Sequence, residues 1–198
     1  MVTDHRKLPR RRGEALNAAI FQAVLDELTE VGYAKLTMER VAERSRTGKA
    51  SLYRRWASRM ELVLEAVYHA LPDPDSPPET GSLRGDLLAM LRANAEILAG
   101  PAGEALRGLL GDALSDRSRT AELREHSHHS GLRAMQEITR RAVERGEIDA
   151  DAVTPRRLEV GLAMVREQFL FQGVPIPDDA LVEIVDEVVV PLLRGPQS

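Results

Sequence analysis

The sequence is short of several residue types and patterns that define whole classes of protein. It has no cysteine among its 198 residues, which excludes disulfides, thiolate metal sites and cysteine nucleophiles. Aromatic residues make up only 4% of the chain, and the alternating β-branched and aromatic runs that predict strands are missing. No stretch approaches the roughly 18 apolar residues of a membrane span, and the polar, basic start has no apolar signal core. We therefore expect a cytoplasmic protein built from helices.

Charge is divided unevenly along the chain. Residues 1–60 hold 13 Lys+Arg against 7 Asp+Glu, whereas the remaining residues hold 14 against 24. A basic head on an acidic body is typical of a protein that docks one end on a polyanion such as DNA. Chance clustering of solvated charge is the alternative that charge alone leaves open.

Apolar residues recur at three- and four-residue steps, which predicts an all-α fold. The helix starts and stops predict helices over 10–31, 38–44, 48–55, 58–71, 82–99, 102–114, 117–145, 155–173 and 178–194. Thr37 and Ser58 are the predicted caps of two of them, and Gly32 the predicted end of the first. Residues 72–81 contain four prolines, so they form a loop and the best candidate domain boundary. We expect an N-terminal domain over 1–60 and a C-terminal domain over 61–198.

Two short helices separated by the turn 45–47 predict a helix-turn-helix, whose second helix enters the DNA major groove. That second helix carries hydrogen-bond donors for phosphates or base edges at Lys49, Ser51, Tyr53, Arg54 and Arg55. Its apolar residues Leu52 and Trp56, four apart, should pack inward.

These residues resemble a known family. Gly32-Tyr33, Thr37-Met38-x-x-Val41-Ala42, Lys49 to Trp56, Ser58-Arg59 and Leu62-Val63 are similar to the DNA-binding domain of TetR-family repressors over residues 10–70. The resemblance implies a three-helix DNA-binding domain followed by a helical domain for ligand binding and dimerisation. It also implies base or phosphate contacts by Thr37, Lys49, Ser51, Tyr53 and Arg59.

The entry to the recognition helix departs from the family pattern. Arg46, Thr47 and Gly48 stand where a glycine, an apolar residue and a serine-like cap are usual. We expect a left-handed backbone at Arg46, at some energetic cost, and a further phosphate contact from its side chain. We count Thr47 and Gly48 among the DNA-contacting residues as well. The departures affect the angle of the helix rather than its existence.

A basic arm over residues 1–12 precedes the first helix. Arg10, Arg11 and Arg12, with Arg6 and Lys7 ahead of them, predict contact with phosphate or the minor groove. A solvated terminus that acts only through long-range charge is the alternative.

A polar cluster around residue 125 raises the question of a metal. Glu125 and His128 form one Glu-x-x-His pair, flanked by Glu122, His126 and His129, but di-iron bundles need two such pairs. An exposed polar helix face is the favoured interpretation. Gly48-Lys49 is not a phosphate loop, because Ala50 replaces the required hydroxyl residue and Glu43 the first glycine. We expect no cofactor, no metal and no enzymatic activity.

The last two helices predict a dimer. Their apolar faces are wider than one chain should need, and the resemblance implies a four-helix seam with two helices from each copy, although packing within one chain is the alternative. The predicted seam residues are Leu158, Gly161, Leu162, Val165, Phe169, Leu181, Ile184, Val185, Val188, Val189 and Leu192.

An effector pocket is expected among the helices between residues 82 and 173. The candidate lining residues are Met90, Asn94, Leu98, Leu110, Met135 and Met164, each of which could instead simply fill the core. We expect a ligand-responsive homodimeric repressor that binds a pseudo-palindromic operator and releases it on binding a small, mostly hydrophobic molecule. The alternatives are a DNA-binding regulator without a ligand and a helical metal-dependent enzyme.

Overall fold

The computed structural model describes the backbone of residues 8–114 and 117–195, and the side chains of residues 13–111 and 131–195. Over these ranges the secondary structure is helical and contains no strand, which confirms the all-α prediction. The helices are α1 (Leu8–Lys35), α2 (Met38–Arg44), α3 (Lys49–Tyr53), α4 (Arg59–Ala70), α5 (Leu83–Leu98), α6 (Pro101–Leu114), α7 (Arg117–Glu144), α8 (Pro155–Glu167), α9 (Asp178–Glu183) and α10 (Val190–Arg194).

The C-terminal helices are longer than these bounds suggest. α8 runs on into a π-helical turn (Gln168–Gln172), and a π-helical segment (Ile184–Val189) joins α9 to α10. Residues 178–194 are therefore one helical path, as the apolar periodicity predicts. In the described parts of the chain, no helix combines the length and the apolar character that crossing a membrane requires.

Side-chain caps start the helices at the predicted places. Thr37 Oγ1 accepts a hydrogen bond from the Arg40 amide at 3.3 Å, and Ser58 Oγ accepts one from the Glu61 amide at 3.1 Å. Each satisfies one of the amides that a helix start leaves unpaired. Gly32 has a positive φ of 72° and a ψ of 169°, which is not helical, so the regular helix of α1 is interrupted there, as predicted, and a short turn continues to Lys35.

The N-terminal core joins α1 through α4 to a helix from further along the chain. Ile20, Leu28, Leu52 and Leu62 are fully buried in it. α6 adds Ala102, Ala105 and Leu109, which pack into the same cluster. Because α6 belongs to the helical body after the proline-rich loop, the two parts of the chain share apolar surface.

The C-terminal core accounts for much of the predicted dimer seam. Eight of the predicted seam residues are buried within the single chain: Leu158, Gly161, Val165, Phe169, Leu181, Ile184, Val185 and Val189. Gly161 allows a close approach, since a Cβ there would lie 2.8 Å from Cγ2 of Val189. Packing within one chain therefore occupies these eight residues. Leu162, Val188 and Leu192 are the members of the predicted seam that keep partly exposed surface.

The proline-rich segment is a loop, as predicted, but it is fastened to the helices beside it. Arg141 of α7 donates to the carbonyl oxygens of Pro77 and Pro78, both at 3.3 Å. Asp86 of α5, which is fully buried, accepts hydrogen bonds from the amide and hydroxyl of Thr80 at 2.5 and 2.7 Å. The loop is thus a strap across α5 and α7 as well as a connection.

Candidate nucleic-acid interface

α2 and α3 form the predicted helix-turn-helix. Between them, the Thr47 amide donates to the Ala42 carbonyl at 2.8 Å, which closes the end of α2. Arg46 lies in this turn with a φ of 53°, so the predicted left-handed backbone is confirmed. Gly48 is the N-cap of α3 and offers no side-chain cap. α3 is shorter than predicted: it ends at Tyr53, two residues before the expected end at Arg55.

Two apolar side chains attach α3 to the rest of the domain. Leu52 is fully buried and Trp56 is 2% exposed, which confirms that both face inward. The Trp56 ring meets Phe21 of α1 edge-on at a centroid distance of 5.7 Å. Its indole N–H donates to Glu65 of α4 at 2.5 Å. The recognition helix is therefore held from behind by α1 and α4.

A buried carboxylate holds α2 against α1. Glu27 is 2% exposed and accepts hydrogen bonds from Nε of Arg40 at 2.5 Å and Nε of Arg44 at 2.6 Å. Burial raises the pKa of Glu27, but the hydrogen bonds and charges of the two arginines outweigh it, so the net pKa is lowered. Arg44 also pairs with the exposed Glu30. The carboxylate thus stays ionised and fixes the orientation of the helix behind α3.

The outward side of α3 presents the donors that the sequence predicts. Tyr53 is 48% exposed, and Lys49, Arg54 and Arg55 are exposed as well. Arg54 donates to the Ser51 hydroxyl at 3.4 Å. Arg55 donates to the side-chain oxygen of Asn17 of α1 at 2.8 Å. Both acceptors are uncharged, so these two contacts hold the arginine side chains at the protein surface without neutralising them.

Lys49 has a partner that sequence reasoning missed. Its ammonium group forms an ion pair with Glu39, a residue of the first turn of α2. It also lies 5.7 Å from the centroid of the Tyr53 ring. The hydrogen bond from Lys49 lowers the pKa of Glu39. Nothing in the spacing of these residues signals the pair, because they belong to different helices and meet only once the turn is formed.

The guanidinium group of Arg59 makes contacts within the protein. Its guanidinium lies 4.4 Å from the ring centroid of Tyr33. It donates to the carbonyl oxygens of Tyr33 and Leu36 at 3.3 and 3.2 Å. Arg59 therefore braces the start of α4 against the end of α1, and its contact with phosphate stays a prediction.

The remaining predicted DNA-contacting residues divide into two groups. Thr37, Arg46 and Gly48 are exposed, and Thr47 and Ser51 are partly exposed, so all five have surface to offer. The side chains of Arg10, Arg11 and Arg12 lie outside the described residues, as does most of the basic arm.

The side chains of the polar cluster considered for a metal, Glu122, Glu125, His126, His128 and His129, lie outside the described residues too. Over the side chains that are described, no group of three potential ligands could hold a metal ion.

Two of the predicted effector-binding residues line one small cavity. Met90 and Asn94 of α5 contribute to a cavity of about 40 Å³, together with the loop and with Gly131 and Ala134 of α7. Leu71, at the end of α4, also lines it. Leu98 and Met164 instead pack against the C-terminal core and Leu110 against the N-terminal core, while Met135 is buried.

Both halves of the chain match models of known protein families. Residues 20–66 match the model described as bacterial regulatory proteins, tetR family. Residues 77–188 match the model described as tetracyclin repressor-like, C-terminal domain.

Relatives and solved structures agree with these matches. A DNA-binding transcriptional repressor TetR of Mycobacteroides abscessus is 32% identical over 187 residues, covering 92% of this chain and 96% of the relative. An uncharacterized HTH-type transcriptional regulator of Mycobacterium tuberculosis is 31% identical and covers 84% of this chain and 82% of its own. A crystal structure of a TetR family transcription regulator superimposes with a TM-score of 0.72 at 30% identity, over 88% of this chain and 96% of the other.

Proposed function

Because this chain belongs to the TetR family of DNA-binding transcriptional regulators, we propose that it is a homodimeric, cytoplasmic repressor released from its operator by a small effector. The recognition helix of each copy reads one half-site. The effector is mostly hydrophobic and binds in the helical body. The position of the operator decides whether the bound protein represses transcription. Repression is the proposed output because the related protein of Mycobacteroides abscessus is a transcriptional repressor.

The DNA-binding step rests on the outward face of α3 and its supports. Lys49, Tyr53 and Arg54 offer charge, a hydroxyl and a flat ring on one exposed surface. Leu52 and Trp56 fix the opposite side in the core. A helix with this division suits insertion into the major groove, where donors meet base edges and phosphates.

The dimer follows from the spacing that DNA imposes. Two recognition helices reach successive half-sites only if their centres lie about 34–36 Å apart, and a two-fold dimer supplies that relation. Exposed apolar surface on the C-terminal helices supports this arrangement. Leu162, Val188 and Leu192 are partly exposed there, and Phe171 in the π-helical turn after α8 is 77% exposed.

The observation that carries the effector proposal is the position of the cavity at the end of α4. Leu71, which lines the cavity, directly follows the last residue of α4, and α4 begins at Arg59, shortly after the recognition helix ends. A molecule bound against Leu71 therefore touches a helix that braces α3 through Trp56 and Glu65. A cavity of about 40 Å³ is far below the roughly 300 Å³ of a small-molecule pocket. Binding must therefore enlarge it, which displaces the loop or α4.

The test is a thermal-shift screen of apolar small molecules, followed by titration of each hit against the DNA-bound protein. We expect hits that stabilise the free protein and weaken DNA binding, because an effector acts only through its preference for the released state. Asn94→Leu should lose this response while keeping its DNA affinity. Glu96→Gln, which changes an exposed residue of the same helix, should behave as wild type.

Two outcomes would change the account. Hits that bind tightly without altering DNA affinity would contradict the proposed release of DNA by an effector. A screen without hits, in a protein that binds its operator tightly, would favour a regulator without a small-molecule ligand.

A further inference from the structure

We propose that Glu39 is a specificity-determining residue, which acts by withholding the charge of Lys49 from the DNA backbone. This inference rests on the proposed function and concerns how the same surface discriminates between its operator and other DNA. Nothing in the sequence pattern of α3 indicates it, because the acidic partner lies on α2.

Two groups contact the ammonium group of Lys49. The carboxylate of Glu39 pairs with it, and the face of the Tyr53 ring lies 5.7 Å away. Both partners of the ion pair are about half exposed, with side-chain exposures of 54% for Lys49 and 56% for Glu39. Such a pair is weak and breaks easily, so DNA has access to both side chains.

The other cations of this surface are treated differently. Arg54 is hydrogen-bonded to Ser51 and Arg55 to Asn17, and both acceptors are uncharged. Neither of these acceptors neutralises the charge of its arginine. Lys49 differs from them, because the Glu39 carboxylate beside it neutralises the charge. Each neutralised lysine removes one counterion-releasing contact from sequence-independent binding.

A matching sequence has a way to compensate for breaking the pair. In the major groove, lysine donates to guanine O6 and N7, and glutamate accepts from the cytosine amino group. Base pairs that offer both the guanine acceptors and the cytosine amino group give each side chain a new partner. These contacts replace the ion pair that Lys49 and Glu39 lose. On other sequences, Glu39 meets base edges without a donor or the negative backbone, and nothing replaces the broken pair. Glu39 therefore lowers affinity for random DNA more than affinity for the operator.

The test compares full-length wild type with Glu39→Gln on two labelled duplexes. One is the fragment that the wild-type protein selects from genomic DNA, and the other is a shuffled duplex of equal length. For Glu39→Gln we expect binding to the shuffled duplex to tighten by about two- to fivefold, the range of an exposed ion pair. Its salt dependence should steepen by about one phosphate contact, a slope change of about −0.9. Affinity for the selected fragment should stay within about twofold, so discrimination falls.

The matched control is Glu43→Gln. Glu43 lies one turn further along α2 and is exposed, so this variant removes the same charge from the same helix without touching Lys49. It should change binding to both duplexes equally and slightly. In a Lys49→Gln background, Glu39→Gln should have no more effect than Glu43→Gln, because the lysine that it restrains is gone.

A purely structural role for Glu39 predicts the opposite sign. A carboxylate in the first turn stabilises a helix, so losing it would loosen α2 and weaken binding to both duplexes. Three results would overturn the inference: weaker binding to both duplexes, an equal gain on both duplexes, or an effect of Glu39→Gln that survives in the Lys49→Gln background. If the wild-type protein selected no genomic fragment at all, the proposed function would fail instead.

Discussion

Gly108 of α6 lies directly against the ring of Tyr33 at the end of α1: a Cβ atom added to the glycine would lie 2.6 Å from Cδ1 and 2.9 Å from Cβ of the tyrosine. The carbonyl of Tyr33 also accepts a hydrogen bond from Arg59, the first residue of α4. The helical body contacts the DNA-binding end at this junction. The geometry of the junction therefore sets the position of one part relative to the other.

Replacing Gly108 with alanine should disturb that junction. The added methyl group meets the base of the tyrosine side chain, which has little freedom to move, and overpacking of this kind costs about 1–3 kcal/mol. Urea unfolding of the full chain measures the loss. Gly111→Ala is the control on the same helix, because no described atom lies within 4 Å of a Cβ there. It should stabilise α6 by about 0.5–1 kcal/mol. Equal effects of the two substitutions would contradict the close contact.

Glu27→Gln should destabilise the helix-turn-helix. The amide keeps the shape of the carboxylate but turns one acceptor into a donor that faces the guanidinium groups of Arg40 and Arg44. Losing a charge-assisted bond at a buried site costs about 1–3 kcal/mol. Glu30→Gln removes an exposed partner of Arg44 and should cost under about 1 kcal/mol. The comparison is made by thermal unfolding, and a loss as small for Glu27→Gln as for Glu30→Gln would show that the buried network contributes little.

Arg46→Gly should make the protein more stable. A side chain in the left-handed region costs about 1–2 kcal/mol, which outweighs the entropy that glycine adds to the unfolded chain. We expect a net gain of about 0.5–1 kcal/mol in unfolding free energy. Arg46→Ala keeps the strained backbone and should gain nothing. If the Arg46 side chain also contacts phosphate, both variants will show a shallower salt dependence of DNA binding, by about 0.9.

Acid should reveal the ion pairs of α7. Hydrogen bonds from Arg140 and Arg141 lower the pKa of Glu137 from 4.5 to about 2. Because the folded pKa is lower than the unfolded one, this group stabilises the fold above pH 4.5 and loses that contribution as the pH falls from 4.5 to about 2. As the pH is lowered across this window, the unfolding free energy should fall less steeply for Glu137→Gln than for wild type. The exposed Glu183→Gln should follow the wild-type curve, and identical curves for all three proteins would contradict the shift.

Most of the helical architecture could be predicted from local patterns, and the reason is physical. Thr37 and Ser58 cap helices through bonds to amides three residues away. Leu52 and Trp56 are buried together because one further turn after α3, closed by a hydrogen bond from the Trp56 amide to the Leu52 carbonyl at 2.9 Å, brings them to the same side. Such relations involve neighbours along the chain, which a sequence displays directly.

Relations between helices could not be predicted in this way. Periodicity shows that Val165 and Val185 lie on apolar faces but not which helices cover them; within the described chain both are buried, and their part in a dimer seam stays a prediction. Similarly, Arg59 stacks on Tyr33 and Lys49 pairs with Glu39 only because the turns bring distant segments together. The charge of a residue predicts that it seeks a partner, whereas the fold decides which one.

The most direct test of the account is whether Tyr53 is needed for sequence-specific DNA binding. Genomic fragments selected by the full-length protein would be titrated with wild type and with Tyr53→Ala, alongside the exposed Glu43→Gln as a control. We predict operator binding with a Kd of about 10⁻⁸ M or tighter for wild type and for the control, and binding no better than to shuffled DNA for Tyr53→Ala. Undiminished, sequence-specific binding by a folded Tyr53→Ala protein would contradict the assignment of α3 as the recognition helix.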